Sequence, residues 1–368
     1  MKRGRVRTTA IAVAAATVVA LAAEAWIFWT TPPTDAGHET IVEVPRGATL
    51  RAVADSLVAH DLLRHRMVFV WGARLTGRDR AIRAGRYAVP RDLSPRDLLG
   101  LLVTGRTVPV RVTILEGETA SAIAAGLAAA FPWSAAEFLS AADSLAGLVM
   151  VQAPLPLDAA AAGDYAETLR RERERTGRAF PLCEGYLFPE TYHFAEGVDA
   201  AQVAAVVLEH GLSRWRLLLD DAPPRRDDAL QGLHEILTLA SIVEAETPRA
   251  EEMPRVAAVY LNRLADGIPL EADPTVAHAL DKRGERILYA DLEVDSAFNT
   301  YRRAGLPPGP IGSPGPAALR AVLEPASGFD ALFFVADGSG GHVFSRTLEE
   351  HREAVRRYRS LRAPRQRR

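Results

Sequence analysis

The sequence of 368 residues contains a single cysteine, Cys183, and this scarcity excludes two kinds of site. No disulfide can form within the chain, and no zinc site built on several thiolates is possible. Lysine is nearly absent as well, since only Lys2 and Lys282 occur among 44 basic residues. The formal net charge is -2, so the bulk composition gives no indication of nucleic-acid binding.

Phosphate and metal sites also lack their sequence signatures. The glycine-rich stretch at 337–341 has neither the Walker spacing nor a following lysine, so it does not predict a phosphate-binding loop. His342 and His351 show no convincing spacing of metal ligands. We therefore expect a protein without a metal, without a cofactor and without a nucleic-acid partner.

A long apolar run occupies residues 8–29 and is broken only by Glu24. Its length is close to the roughly 20 residues that cross a bilayer. Basic residues precede the run, namely Lys2, Arg3, Arg5 and Arg7. Under the positive-inside rule they place the N-terminus in the cytoplasm and the rest of the chain outside. The sequence thus predicts a single-pass protein of the cytoplasmic membrane, anchored by residues 1–30.

A cleaved signal peptide is the alternative interpretation of the same segment. Ile11–Ala23 could be its short apolar core, and Ala23-Glu24-Ala25 resembles a cleavage site. We favour the uncleaved anchor, because Trp26, Phe28 and Trp29 continue past that site and suit a membrane–water interface. Both interpretations export most of the chain.

An internal repeat follows a short linker. Residues 41–57 and 110–127 each read as an alternating strand, a glycine turn and a short helix, with Gly47 and Gly117 in the turns. Between the copies, residues 84–89 read as a strand and 94–103 as a helix capped by Ser94. Residues 38–107 resemble a LysM-like module, a small unit often found binding wall glycans. A plain structural spacer is the alternative.

The stretch Leu239–Thr247 ends a helical pattern that starts near Asp227. Leu230, Leu233, Leu237, Ala240 and Val243 or Glu244 fall on one face at spacings of three and four. Pro248 disfavours helical geometry at the preceding residue and predicts the helix end. Glu244 is therefore expected in the last turn, beside the negative end of the helix dipole.

An apolar surrounding and that dipole would both raise the pKa of Glu244, as a general acid requires. Glu246 lies about 200° around an ideal helix from Glu244 and is expected to face elsewhere. The alternative is that Glu244 lies at the edge of this apolar helix face and points to solvent, since carboxylates are rarely buried.

A second block, Glu184–Phe194, carries aromatics at 186, 188, 192 and 194. Their shared parity is typical of a strand with one aromatic face, although Pro189 weakens that interpretation. An aromatic face beside carboxylates is a common platform for sugars, and ordinary core packing is the alternative.

Farther on, the segment at 305–315 is rich in Pro and Gly. This composition predicts a rigid, irregular segment that forms the wall of a cleft.

Together these blocks resemble the endolytic murein transglycosylase (YceG-like) family. The blocks that carry the resemblance are Glu184–Phe194, Ala240–Glu244, Tyr260–Leu264, Asp273–Val276, Asn299–Tyr301, Gly305–Ile311 and Phe334–His342. The resemblance implies a lyase that cuts the MurNAc-β-1,4-GlcNAc bond inside nascent glycan strands and leaves a 1,6-anhydro-MurNAc end. It also implies peptidoglycan as substrate and partners in the wall-synthesis machinery, such as peptidoglycan synthases.

The family's catalytic glutamate is matched here to Glu244. Candidates for holding the sugar or orienting that glutamate are Glu190, Tyr192, Asp273, Asn299 and Tyr301. The expected fold class is α+β: a transmembrane helix, the LysM-like module, a second repeat copy with a helical connection at 108–180, a catalytic domain at 181–362 and a basic tail at 363–368. A muramidase-type hydrolase on the same site and a non-catalytic wall-binding scaffold are the alternative functions.

We predict that the apolar run at 8–29 is retained as an anchor in the mature protein. Mass analysis of the N-terminal peptide from the native protein checks this. A mature N-terminus near Trp26 would contradict the anchor and support the signal peptide.

Overall fold

The computed structural model describes residues 2–33, 39–45, 47–105, 108–152, 159–222, 230 and 232–362. Several sequence predictions lie outside the described residues. These are the helix start near Asp227, most of the linker after the anchor, the module ends at His38 and Thr107, and the basic tail at 363–368.

The described chain is a mixed α+β structure, as the sequence predicts. The helices are α1 (Lys2–Thr30), α2 (Leu50–Ala59), α3 (Arg66–Leu75), α4 (Pro95–Thr104), α5 (Ala120–Ala130), α6 (Ala135–Gln152), α7 (Ala159–Thr176), α8 (Ala200–Asp221), α9 (Leu233–Glu246), α10 (Met253–Ala265), α11 (Asp273–Leu280), α12 (Pro316–Leu323) and α13 (Leu348–Arg362), with a 3₁₀ turn at Tyr289–Glu293. The strands are β1 (Thr40–Val44), β2 (Gly85–Val89), β3 (Val110–Thr113), β4 (Thr191–Phe194), β5 (Phe333–Ala336) and β6 (His342–Ser345).

The chain divides into two compact units. The first comprises residues 1–110 and 193–198, and the second comprises residues 111–192 and 199–368. In the first unit β1 and β2 form an antiparallel pair with Thr40 opposite Val89 and Val44 opposite Gly85. Its core is apolar and closely packed, with the side chains of Val42, Leu57, Phe69, Tyr87 and Leu98 fully buried.

Both copies of the repeat adopt the local structure that the sequence predicts. Gly47 and Gly117 have φ values of +75° and +76°, a region that glycine enters without steric cost. Thr49 and Thr119 then cap the following helices, each accepting a backbone N–H three residues on at 3.2 Å. Ser94 caps α4 in the same way, at 3.2 Å from the N–H of Asp97.

The N-terminal helix α1 contains an apolar stretch, Val13–Thr30, that is long and apolar enough to cross a membrane. Its last turn packs against α3 of the same unit. The Trp29 ring lies beside Gly72, and Phe28 meets the His65 ring edge-on at 4.6 Å.

Helix α9 is the central element of the second unit. Ten of its first eleven side chains, from Leu233 to Val243, are buried, and it packs against α10, α11 and α12. A helix that is apolar on nearly all sides belongs inside a protein core. Its few polar side chains bind the segment at 308–311: His234 Nε2 lies 2.8 Å from the carbonyl of Pro308, and Ser241 Oγ accepts the N–H of Ile311 at 3.0 Å.

The aromatic block differs from its prediction. Only Thr191–Phe194 is a strand; Tyr186 lies in the preceding turn and Phe188 in irregular chain. Tyr186, Phe188, Tyr192 and Phe194 are all buried and make no exposed platform. Pro189 interrupts the alternation, so the shared parity of the four positions does not place their rings on one strand face.

Two strands near the C-terminus form a hairpin. β5 and β6 pair antiparallel, with Phe333 opposite Ser345 and Ala336 opposite His342. Asp337 holds the connecting turn, since its Oδ1 accepts the backbone N–H groups of Ser339 and Gly341 at 2.6 and 3.0 Å. The glycine-rich stretch is thus a turn closed by an aspartate.

Candidate active site

The last turn of α9 carries two glutamates, Glu244 and Glu246. The helix ends where Pro248 predicts, because Thr247 is already extended with φ −142° and ψ 131°. Residues two apart on a helix point in widely different directions. The two carboxyl groups consequently enter different surroundings.

Glu244 faces the glycines of two neighbouring turns. Its Oε2 accepts the N–H of Gly315 at 3.0 Å, and Gly315 is the residue that precedes α12. A side-chain carbon at Gly117 would lie only 3.6 Å from its Cγ. Burial and the nearby charge of Glu116 raise the pKa of Glu244, while the Gly315 N–H lowers it. The carboxyl group thus anchors the chain at the start of α12.

Glu246 faces a cavity of about 320 Å³ within the second unit. Its Oε2 accepts a hydrogen bond from the Tyr260 hydroxyl at 3.2 Å. Burial, followed by the charge of Asp273, raises its pKa from an ordinary 4.5 to about 7, against the opposing effects of Tyr260 and His342. A carboxyl group with that pKa holds its proton near neutral pH for a substantial part of the time.

Two residues predicted from the sequence line the same cavity as Glu246. Asp273 begins α11, and Tyr301 donates its hydroxyl hydrogen to Asp273 Oδ1 at 2.6 Å. Arg263 forms part of the wall and donates to Glu271 Oε2 at 3.1 Å and to the carbonyls of Pro269 and Leu270 at 3.0 Å. The cavity therefore gathers three carboxylates, one guanidinium and two tyrosine hydroxyls.

Asn299 supports this wall from behind and does not reach the cavity. It is fully buried, its Nδ2 donates to the carbonyls of Leu292 and Val294 at 2.8 Å, and its Oδ1 accepts the N–H of Tyr301 at 3.0 Å. Thr300 Oγ1 accepts the N–H of Ala272 at 3.0 Å. These bonds hold Tyr301 beside Asp273. The role of Asn299 in holding the sugar or orienting the catalytic glutamate stays a prediction, and these contacts favour the orienting role.

Glu190 and Tyr192 lie away from the cavity. Glu190 Oε2 is 3.2 Å from His210 Nε2 on α8, and its carbonyl accepts the N–H of Ile114. Tyr192 donates its hydroxyl hydrogen to the carbonyl of Phe188 at 2.8 Å and packs against the His210 ring. The structure does not bring either side chain to the other candidates.

Two histidines complete the cavity wall. His342 Nδ1 lies 2.8 Å from Glu252 Oε2, which fixes its ring. His351 lines the cavity, and its Nδ1 is buried with no hydrogen-bond partner among the described residues. Within the described ranges no group of three or more His, Cys, Asp or Glu side chains is arranged to hold a metal ion.

From the sequence, Glu246 was expected to face away from the site, and no site role was predicted for Tyr260, Arg263, His342 or His351. The apolar spacing along α9 does not distinguish Glu244 from Glu246, because α9 is buried on nearly all sides and has no single core face. A usable signal was present in Tyr260 and Arg263, which stand three apart on α10 and reach the same side of that helix.

A family model matches residues 42–357 of this chain, and its description is the YceG-like family. The chain belongs to the YceG-like family. The match spans both compact units and includes every residue that lines the Glu246 cavity.

Relatives of this YceG-like chain include named enzymes. The endolytic murein transglycosylase of Bacillus subtilis is 28% identical over 318 residues, covering 86% of this chain and 84% of the relative. The endolytic murein transglycosylase of Streptococcus pneumoniae is 28% identical over 333 residues, but the match spans only 58% of its length. A crystal structure of a YceG-like protein from Listeria monocytogenes superposes with a TM-score of 0.52 at 29% identity, covering 86% of this chain and 98% of that one.

The raised pKa of Glu246 predicts a pH-dependent loss of stability. Between pH 4.5 and about 7 the folded state binds a proton that the unfolded state has released, so stability falls as pH rises through this window. Glu246→Gln removes that contribution. We expect its melting temperature to exceed that of the wild type at pH 8 and the difference to shrink towards pH 4.5.

Glu285→Gln is the matched control for this comparison, because Glu285 is an exposed turn residue of the same unit. Its melting temperature should differ from that of the wild type by a similar small amount at both pH values. A Glu246→Gln difference that is equally independent of pH would contradict the proton-bound carboxyl group.

Proposed function

We propose that this protein is a lytic transglycosylase that cuts MurNAc-β-1,4-GlcNAc bonds inside peptidoglycan strands, with Glu246 as its acid and base. Membership of the YceG-like family and relatives named endolytic murein transglycosylase support the activity. The observation that carries the assignment of Glu246 is its cavity. That cavity joins a carboxyl group of pKa about 7 to polar groups able to hold a sugar.

In the proposed reaction the protonated Glu246 donates its proton to the glycosidic oxygen as the bond to C1 breaks. The resulting carboxylate then accepts the proton of the C6 hydroxyl, whose oxygen forms the new bond to C1 of the same sugar. The products are a free GlcNAc hydroxyl and a 1,6-anhydro-MurNAc end, without consumption of water. One carboxyl group performs both proton transfers, whereas ordinary glycoside hydrolysis generally uses two.

Asp273 and Tyr301 act as orienting residues in this proposal. The charge of Asp273 contributes to the raised pKa of Glu246. The Tyr301 hydroxyl donates to Asp273 Oδ1 at 2.6 Å and fixes the Asp273 carboxylate in place. A negative charge near the cleaved bond would also stabilise positive charge developing at C1. Tyr260 holds the Glu246 carboxyl group in place from the opposite helix, α10.

A muramidase-type hydrolase is the second candidate, favoured by the presence of Asp273 in the same cavity. In that reaction Asp273 would activate water or attack C1, and Glu246 would still donate the proton. Mass analysis of products from purified glycan strands discriminates the two. Anhydro ends are lighter than reducing ends by one water, and reducing ends alone would establish hydrolysis.

We predict that Glu246→Gln folds normally and loses most glycan-cleaving activity. Glutamine keeps the shape of the side chain but cannot donate a proton and take one back. Because general acid–base assistance is typically worth about 10²–10⁴-fold, a loss of at least that order is expected in the release of soluble fragments.

Glu244→Gln is the matched control, since it changes the same helix turn and retains an acceptor for the Gly315 N–H. It should retain most of the activity. An inactive Glu244→Gln with an active Glu246→Gln would restore the assignment made from the helix pattern. Full activity of both variants, with anhydro products, would place the acid in another block.

The first unit is proposed to be a LysM-like glycan-binding module anchored to the outer side of the cytoplasmic membrane by α1. The antiparallel β1–β2 pair, the helices packed on it and the apolar stretch of α1 support this proposal. A purely structural spacer is the alternative for the module.

Peptidoglycan synthases are proposed partners that would deliver nascent strands, and crosslinking in intact cells would detect them.

We predict that deleting residues 38–107 weakens the capture of long glycan strands and leaves slow cleavage of short soluble ones. The module would then contribute binding, while the cavity of the second unit does the chemistry. Binding to insoluble wall and turnover of soluble fragments are measured side by side. Complete loss of cleavage in a deletion variant with normal circular dichroism would contradict this division.

A further inference from the structure

Helix α3 presents an unusual apolar face to solvent. Met67, Trp71 and Leu75 are 54%, 54% and 83% exposed, and they stand four residues apart. Residues at that spacing lie along one side of a helix. The opposite side, with Phe69, Val70 and Ala73, is buried in the core of the first unit. The helix is thus apolar on both sides, and only one of them is covered by protein.

The position of α3 indicates what covers the other side. Gly72 lies against the Trp29 ring so closely that an added side-chain carbon would come within 2.3 Å of it. Trp29 also approaches Phe69, with ring centroids 6.5 Å apart. Trp29 belongs to Val13–Thr30, the stretch able to span a membrane. A helix packed on the last turn of that stretch lies at the depth where the stretch leaves the hydrocarbon.

The charges around the apolar face fit lipid headgroups. Arg74 and Arg78 are exposed and make no ion pair with any described residue, whereas Arg66 is paired with Asp55 at 2.9 Å. Asp79 is the acid next to them in sequence. Basic residues beside tryptophan and aliphatic side chains are typical of helices that lie in a membrane interface.

We propose that the Met67–Trp71–Leu75 face of α3 lies in the headgroup region of the same membrane that α1 enters, with Arg74 and Arg78 on anionic lipid. This contact rests on the proposed anchor. It adds a second attachment beside α1, so the first unit is held in a defined orientation on the bilayer and cannot rotate freely about one helix.

The test uses the full chain reconstituted in vesicles of phosphatidylcholine and phosphatidylglycerol. Met67→Cys is labelled with an environment-sensitive fluorophore, and the buried Cys183 leaves that position as the accessible thiol. We expect blue-shifted emission, and quenching by lipids that carry a nitroxide just below the headgroup. Both effects should weaken in vesicles of phosphatidylcholine alone, because Arg74 and Arg78 then lose their anionic partners.

The matched control keeps the label at 67 and adds Trp71→Ser and Leu75→Ser, two exposed changes that spare the core. It should lose the blue shift and the quenching while flotation of the protein with the vesicles is unchanged. Water-like emission from a floating Met67→Cys protein would overturn the proposal and leave the anchor standing. A blue shift without nitroxide quenching would also overturn it, since protein would then cover the face. Failure to float after an alkaline wash would overturn the anchor and the contact together.

Discussion

The candidate site depends on the burial of a carboxyl group at the end of a helix that has almost no exposed side. Helix α9 packs against α10, α11 and α12, and its last residue, Glu246, is half-buried where the helix leaves that core. Removing water from a carboxyl group disfavours its charged form. The fold thereby converts an ordinary glutamate into a group that can carry a proton near neutral pH, and the Tyr260 hydroxyl fixes its direction.

Irregular chain supplies the rest of the wall and is held by specific hydrogen bonds. Thr300 fastens its loop to the start of α11, and Asn299 holds the backbone of Tyr301, which lies against Asp273. His234 and Ser241 fasten the Pro- and Gly-rich segment to α9. Because such segments have no ladder of their own backbone hydrogen bonds, these buried polar side chains determine their path. This explains why so many buried polar residues surround α9.

Local signals in the sequence were sufficient for the elements and insufficient for the site. Gly47, Gly117, Thr49, Thr119 and Ser94 determine turns and caps through their own backbone preferences, so both repeat copies were predictable. The choice between Glu244 and Glu246 was not predictable from the sequence, because it depends on which neighbours surround a helix that is buried on nearly all sides. Asp273 and Tyr301, which were proposed by motif, line the cavity. The spacing of the aromatics at 186–194 predicted a strand face wrongly, because the irregular chain before β4 follows no alternation.

The assignment of Glu246 is tested most directly by a crystal structure of Glu246→Gln with a glycan fragment that spans the cleaved bond. The glycosidic oxygen should lie within about 2.6–3.2 Å of the side chain at 246, the reach of a proton donor. A fragment bound with that oxygen beside Glu244, and with the Tyr260–Asp273 cavity empty, would contradict the account.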